Sequence, residues 1–190
     1  MKKIAFVVSI LFCGIAFGQE EMKPKIESGM YNRTSIGVLI GKEITGSLQT
    51  SMGYRFTGGW ELGLALGFED RSIRNAPLML DMRKSFQLKK SSSIQPFVAL
   101  QAGAVLGTQN NNYYYYPYEK QQGYTGGISI GVTNYYTKHL GMTLSLGYRF
   151  SQVSGYYYYP YYLSYVDLIY YPEQLRDLHR FEVRFGISLR

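Results

Sequence analysis

The last ten residues of the chain, 181–190, alternate strictly between apolar and polar side chains. In order they are Phe-Glu-Val-Arg-Phe-Gly-Ile-Ser-Leu-Arg, so the odd-numbered positions are apolar and the even-numbered ones are charged, polar or glycine. A period of two over this length predicts a β-strand with one apolar face. Because the opposite face carries full charges, the pattern is typical of a strand that has lipid on one side and a wet lumen on the other.

The same alternation recurs upstream, most clearly between Trp60 and Glu69. Predicted strands cover residues 33–41, 45–56, 60–69, 78–86, 94–107, 124–136, 139–150 and 181–190. The links after the second, fourth and sixth strands are short, whereas the two longest links follow the fifth and the seventh. This asymmetry indicates that short turns face the periplasm and long loops face outward. We therefore predict an all-β fold over residues 33–190: an eight-stranded antiparallel up-and-down transmembrane β-barrel with a polar, side-chain-filled lumen.

The N-terminus predicts export. Lys2 and Lys3 precede a short apolar run, and residues 16–18 (Ala-Phe-Gly) have the form of a signal-peptidase site. We interpret residues 1–18 as a signal peptide cleaved near Gly18 and residues 19–32 as a periplasmic lead-in. One alternative is an N-terminal membrane anchor, although the run is shorter than the ~20 residues of a spanning helix. Another is lipidation of Cys13, where the bulky Phe12 precedes the cysteine.

Charge and cysteine content limit the function classes. The sequence has 20 Lys and Arg against 13 Asp and Glu, and losing Lys2 and Lys3 with the signal lowers the net charge from +7 to +5. This excess of positive charge is spread along the chain, so it favours contact with anionic lipid headgroups and not binding of nucleic acid. Cleavage after Gly18 leaves no cysteine, which excludes disulfides and thiol catalysis from the mature chain. No metal-ligand spacing, phosphate loop or cofactor motif is present, and no cofactor is expected.

Eight charged residues share the face opposite the apolar one. They are Arg55, Glu61, Glu69, Asp81, Arg83, Arg149, Glu182 and Arg184. A soluble barrel would bury the apolar face instead, and unpaired charges in a narrow core are strongly unfavourable. Since four are acidic and four basic, we hypothesise a lumenal salt-bridge network, with Arg83 or Arg184 as partners of Glu61 and Glu182.

Aromatic residues with outward parity stand at both ends of the predicted strands, as the two interfaces of a membrane favour. Those at the periplasmic ends are Tyr54, Phe56, Trp60, Phe86 and Tyr136. Those at the outer ends are Phe68, Tyr124, Tyr148, Phe150 and Phe181.

The pattern resembles the small eight-stranded outer-membrane barrels, namely the OmpA transmembrane domain and the OmpX/Ail group. The resemblance rests on the signal peptide, the eight strands, the repeated Gly-Tyr-Arg-Phe at 53–56 and 147–150, and the terminal strand. It implies location in the outer membrane of a Gram-negative-type bacterium, contact with outer-membrane lipids, and recognition of the last strand by the barrel-insertion machinery. The chain ends in Leu189-Arg190, whereas such terminal signals usually end in an aromatic residue.

Three functional classes are weighed against this fold. An open nutrient pore is disfavoured because eight strands enclose only enough space for side chains; a narrow gated channel stays open as an alternative. A lipid-modifying barrel enzyme is a second alternative, but His139 and His179 belong to no recognisable catalytic constellation. We therefore predict a non-enzymatic, structural or surface-interacting protein whose oligomeric state the sequence does not define.

The predicted outer loops are rich in tyrosine, which offers a large amphipathic contact surface at low entropic cost. This suggests adhesion-type recognition of a glycan or a cell-surface partner. The alternatives are that these segments pack on themselves, extend the last two strands above the membrane, or lie in the headgroup layer. Fourteen of the 20 tyrosines fall there: Tyr113, Tyr114, Tyr115, Tyr116, Tyr118, Tyr156, Tyr157, Tyr158, Tyr159, Tyr161, Tyr162, Tyr165, Tyr170 and Tyr171.

Overall fold

The computed structural model describes residues 28–70, 75–88, 93–107, 122–155 and 174–190. Eight strands make up nearly all of these residues and form a closed barrel in chain order, which confirms the predicted fold class. The strands are β1 (Gly29–Ile40), β2 (Ile44–Arg55), β3 (Trp60–Asp70), β4 (Asn75–Ser85), β5 (Ile94–Gly107), β6 (Gln122–Tyr135), β7 (Leu140–Gly155) and β8 (Gln174–Leu189).

Every strand pairs antiparallel with its sequence neighbours, and the barrel closes where β1 pairs with β8. In that seam Ile36 lies opposite Phe185 and Val38 lies opposite Val183. Closure gives every strand a neighbour on both sides, and β1 pairs with β8 from Asn32 to Ile40. In the part of the chain that the structure describes, no helix is long and apolar enough to cross a membrane.

The side chains have the polarity of a membrane barrel. Large apolar residues point away from the lumen, and Leu64, Leu80 and Ile130 are each more than half exposed. The inward positions are buried and mostly polar, and all eight charged residues predicted for the lumen are less than a tenth exposed. The outward Lys84 donates a hydrogen bond to the carbonyl of Gly58 (2.7 Å) and stands over the Trp60 ring at the end of β3.

Several strands are longer than the alternation predicted. β1 begins at Gly29, so residues 29–32 belong to the barrel and not to the lead-in. β4 begins at Asn75, and Asn75 and Pro77 are buried side chains of the lumen where a polar loop was expected. A proline is tolerated near the start of a strand, but it hides the period of two from sequence analysis. β7 reaches Gly155 and β8 starts at Gln174, which shortens the longest predicted loop at both sides.

The two ends of the barrel differ. We call the end that holds Gly29 and Arg190 the terminal end, and the opposite end the loop end. At the terminal end β2 and β3 are joined by residues 56–59, with Gly58 and Gly59 at positive φ, and β6 and β7 by residues 136–139. Positive φ at two successive residues is a turn geometry that glycine adopts without strain. The strands that flank residues 108–121 and 156–173 stop at the loop end.

A pair of inward glycines brings β2 and β3 into close contact. Gly53 and Gly63 lie opposite each other, and a Cβ atom on Gly53 would overlap the carbonyl group of Leu62. A Cβ atom on Gly63 would meet the hydroxyl group of Tyr31 across the lumen. By contrast, nothing lies within 4 Å of a Cβ atom added to Gly46, also on β2.

Replacing Gly53 with alanine should destabilise the barrel by about 1–3 kcal/mol, because the backbones of β2 and β3 would have to separate. The measurement is urea-induced unfolding of the protein in lipid vesicles. Gly46→Ala is the matched control on the same strand and should leave the unfolding midpoint nearly unchanged. Equal midpoints for the two variants would contradict the close approach of β2 and β3.

Candidate functional site

The charged side chains of the lumen form the most unusual chemical feature of the described residues. They divide into two groups along the barrel axis. The terminal cluster contains Arg33, Arg55, Glu61, Asp81 and Arg83, and the loop cluster contains Glu69, Arg149, Arg180, Glu182 and Arg184.

Strand register explains how the terminal cluster assembles. Arg55 lies opposite Glu61 across β2 and β3, and Glu61 lies opposite Arg83 across β3 and β4. Directly opposed residues of an antiparallel pair have side chains on the same face at short range. Glu61 is therefore placed between two arginines by backbone pairing alone, before any side-chain rotamer is chosen.

Glu61 is the acidic centre of the terminal cluster. Arg55 donates from Nε to its Oε1 atom at 2.7 Å, and Arg33 donates to Oε2 at 2.5 Å. Arg83 is farther away, with its Nε atom 3.9 Å from Oε2. Arg33 also reaches Asp81 at 3.5 Å. Glu61 is only 1% exposed, so these arginines replace the water that its carboxylate would otherwise need.

Arg149 holds the loop cluster together. Its guanidinium group lies 3.1 Å from Glu69 and 3.2 Å from Glu182, and it is 1% exposed. Arg180 donates a second bond to Glu69 at 2.7 Å. Arg184 pairs with Glu182, which shares its face of β8. Each carboxylate of this cluster is thus contacted by two arginines.

Two glutamines complete the hydrogen bonding of the loop cluster. The Gln101 side-chain amide donates to Asp81 at 3.0 Å and accepts a bond from Arg149 at 3.0 Å, which links the two clusters. Arg149 also donates to Gln49 at 3.1 Å. The charges therefore form one connected network that crosses the barrel between opposite walls.

Sequence analysis placed eight charges in the lumen, and the structure adds Arg33 and Arg180. Arg33 has the same parity as Ser35 and Gly37, and Arg180 the same parity as Glu182, so the period of two already contained both signals. They were missed because both stand at or immediately before the starts of the predicted strands, where the alternation was not yet clear. With them, the described lumen holds six arginines against four carboxylates.

Apolar and aromatic side chains flank the network on both sides, among further buried polar residues. Towards the loop end the buried apolar residues are Leu39, Pro77, Val105, Val153 and Leu178. Towards the terminal end the buried aromatic residues are Tyr31, Phe97 and Tyr135. Arg190 stacks on the Tyr135 ring at 3.3 Å and donates to Gln95 at 2.7 Å. Burial lowers the pKa of Arg190 from its usual value, but a guanidinium group stays protonated at physiological pH.

Other candidate residues lie outside the lumen. His179 faces outward, bonds through Nδ1 to the Tyr148 hydroxyl group and packs against Phe150. The Nδ1 atom of His139 lies 3.2 Å from the main-chain oxygen of Arg190. All fourteen tyrosines predicted for surface recognition lie outside the described residues. Within the described ranges, no group of three His, Cys, Asp or Glu residues is arranged to hold a metal ion.

Comparison with known proteins identifies the fold. No protein-family model and no curated protein matches the sequence. Among solved structures, Neisserial surface protein A matches with a TM-score of 0.56 and 11% identity over 86% of this chain and 98% of that one. The N-terminal β-barrel domain of Pseudomonas aeruginosa OprF gives 0.52 and 15%, covering 86% and 100%. Outer membrane protein OprG from P. aeruginosa gives 0.58 and 10%, covering 85% and 95%.

The chain has the fold of the small eight-stranded outer-membrane β-barrels. The match spans nearly the full length of the solved barrels, so it covers the complete strand set and not one sheet of it.

Replacing Glu61 with alanine should destabilise the barrel by about 3–5 kcal/mol, because Arg33 and Arg55 would lose their main buried partner. The measurement is the unfolding free energy in lipid vesicles. Asp177→Ala is the control, since Asp177 is exposed and accepts a single hydrogen bond from Gln152. Exposed charges of this kind contribute about 0–1 kcal/mol. A Glu61 variant as stable as the control would refute the importance of the terminal cluster.

Proposed function

We propose that this protein is a non-enzymatic outer-membrane barrel that acts at the cell surface, with a closed lumen and recognition through its tyrosine-rich segments. The observation that carries the proposal is the occupied lumen. Charged side chains cross it, and apolar and aromatic side chains flank the charges on both sides. The residues that contact a partner are then expected outside the lumen.

An outer-membrane location is supported by the outward apolar surface and by the paired aromatic rings at the barrel rims. Tyr54 packs edge-on against Phe56 at the terminal end (5.1 Å between ring centroids), and Tyr148 packs against Phe181 towards the loop end (6.0 Å). Tyrosine and phenylalanine at the two rims suit the two lipid–water interfaces. Residues 1–18 supply the export signal that such a location requires.

A non-enzymatic role is supported by the partners of the two histidines. His179 stands on the lipid-facing wall against Tyr148 and Phe150, and His139 contacts the main-chain oxygen of Arg190 at the terminal end. Neither contact joins a histidine to both a nucleophile and an orienting carboxylate side chain, which is the arrangement of covalent catalysis by a triad.

The intact protein should be electrically silent in a planar lipid bilayer, because Arg149 and Arg180 hold their carboxylates across the lumen and eight strands enclose only enough space for side chains. The measurement is ionic current after insertion, with a known open porin as the positive control. A steady conductance in the wild-type protein would instead favour the alternative of a narrow channel.

Recognition is assigned to the loop end because the segments that connect the strands there are rich in tyrosine. The sequences between β5 and β6 and between β7 and β8 contain 14 of the 20 tyrosines. Tyrosine rings can stack on sugar rings, and their hydroxyl groups can bond to polar partners. The proposed partner class is therefore a glycan or a glycan-bearing surface.

Replacing the tyrosines between residues 156 and 162 with serine and glycine should abolish adhesion of expressing cells to a glycan-coated surface. The barrel should still insert, since these residues lie beyond β7. Lys42→Ser is the matched control, because Lys42 is exposed in the turn between β1 and β2 at the same end. Adhesion at the wild-type level in the tyrosine-free variant would contradict the proposal.

Protease treatment of intact cells tests the orientation that this experiment assumes. Cleavage within residues 108–121 and 156–173, with the strands protected, would agree with a loop end outside the cell. Cleavage only after the outer membrane is opened would turn the loop end towards the periplasm and remove the basis for adhesion.

A further inference from the structure

A small cavity lies between the terminal cluster and the loop cluster. Its volume is about 30 Å³, and its charged wall residues are Arg33, Arg83 and Asp81 from the first cluster and Arg184 and Glu182 from the second, three cations against two carboxylates. A space of this size holds on the order of two water-sized spheres. It can admit a monatomic ion, whereas a sulfate, a phosphate or a sugar is too large.

The charges around this cavity do not balance within the described part of the chain. Each cluster has three arginines and two carboxylates, so the lumen carries two surplus positive charges. A guanidinium group cannot lose its proton in a protein to escape burial. A buried charge needs a counter-charge or ordered hydrogen-bond partners, and a surplus at two neighbouring clusters is more costly than at one.

Arg83 is the arginine least satisfied by its neighbours. It is 7% exposed, its closest carboxylate oxygen is 3.9 Å away, and its Nε atom has no hydrogen-bond partner. One face of its guanidinium group stacks on the Phe97 ring at 3.6 Å. Its Nε donor is therefore available to a small acceptor in the cavity that it lines.

Arg184 approaches the same cavity from the loop cluster. It shares Glu182 with Arg149, and its remaining contact is a long bond to the Ser35 hydroxyl group at 3.4 Å. Two cations from different clusters thus line one space whose volume suits a single small ion. Water could accept hydrogen bonds there, but it would leave the surplus charge uncompensated.

We propose that the lumen binds one chloride-sized monovalent anion between Arg83, Arg33 and Arg184. The anion supplies the acceptor that Arg83 lacks and reduces the repulsion between the two clusters. It is a structural ligand enclosed by the barrel, which distinguishes it from a transported ion.

The test compares thermal unfolding of the full mature protein, refolded into detergent micelles in chloride, bromide or gluconate at equal ionic strength. Equal ionic strength keeps general screening of the ion pairs constant, and gluconate is too large for the cavity. Chloride and bromide should raise the midpoint by a few degrees over gluconate. Arg83→Met should lose this difference, because the site loses its least satisfied donor while keeping a side chain of similar length.

Two further variants separate the site from unspecific effects. Lys84→Met removes the next cation along β4, which faces outward, and should keep the full anion dependence. Arg83→Lys retains a positive charge at the cavity and should keep part of the anion dependence. This variant preserves the test if Arg83→Met does not fold. Equal midpoints of the wild-type protein in chloride and gluconate would overturn the proposal. A chloride effect that persists unchanged in Arg83→Met would overturn it as well.

Crystals of the wild-type protein grown in bromide give a direct readout. The anomalous signal should show one bromide within hydrogen-bonding distance of the Arg83 guanidinium group. A cavity that contains only water would refute the site, whatever the thermal data show.

Discussion

Closure of the sheet between β1 and β8 is the constraint on which the rest of this structure depends. Lipid offers no hydrogen bonds to a strand edge, so a sheet that crosses a membrane must pair its first strand with its last. With eight strands the enclosed space is only wide enough for side chains. Because side chains alternate along a strand, half of the residues are directed into that space. The lumen is therefore a packed interior, and its charges need counter-charges or hydrogen-bond partners inside it.

The buried charges specify the strand register of the barrel more than they increase its free energy of unfolding. Burying an ion pair costs desolvation that its attraction only partly repays, so the network is weak evidence for stability. Its effect on register is clearer. A slip of one residue in β3 would move Glu61 and Glu69 into the lipid and direct Leu62 and Leu64 into the lumen. An arginine moved to the bilayer midplane costs about 2–4 kcal/mol, so the same slip on several strands is strongly disfavoured.

Sequence reasoning predicts the fold and the inward position of all eight expected charges, because both follow from a period of two. It does not predict which charges meet. Arg180 binds Glu69 across 111 positions of the chain, and no local pattern encodes that contact. It also does not predict the ends of strands where proline or charged residues interrupt the alternation, as at Pro77 and around Arg180. Leu39, which departs from the polar pattern of its face, proves to be part of the apolar closure at the loop end.

A lumen filled with side chains divides the molecule into regions with separate tasks. The wall is chemically uniform, since lipid requires apolar side chains there, and the lumen is committed to its own network. The terminal end is occupied by tight turns at residues 56–59 and 136–139, and Arg190 stacks on Tyr135 beside them. The residues that are neither needed to close the sheet nor constrained by the alternation of a strand therefore lie at the loop end, where most of the tyrosines are found. Because the interior of the barrel is fixed by its own contacts, a change of sequence at the loop end can change the binding partner without changing the barrel.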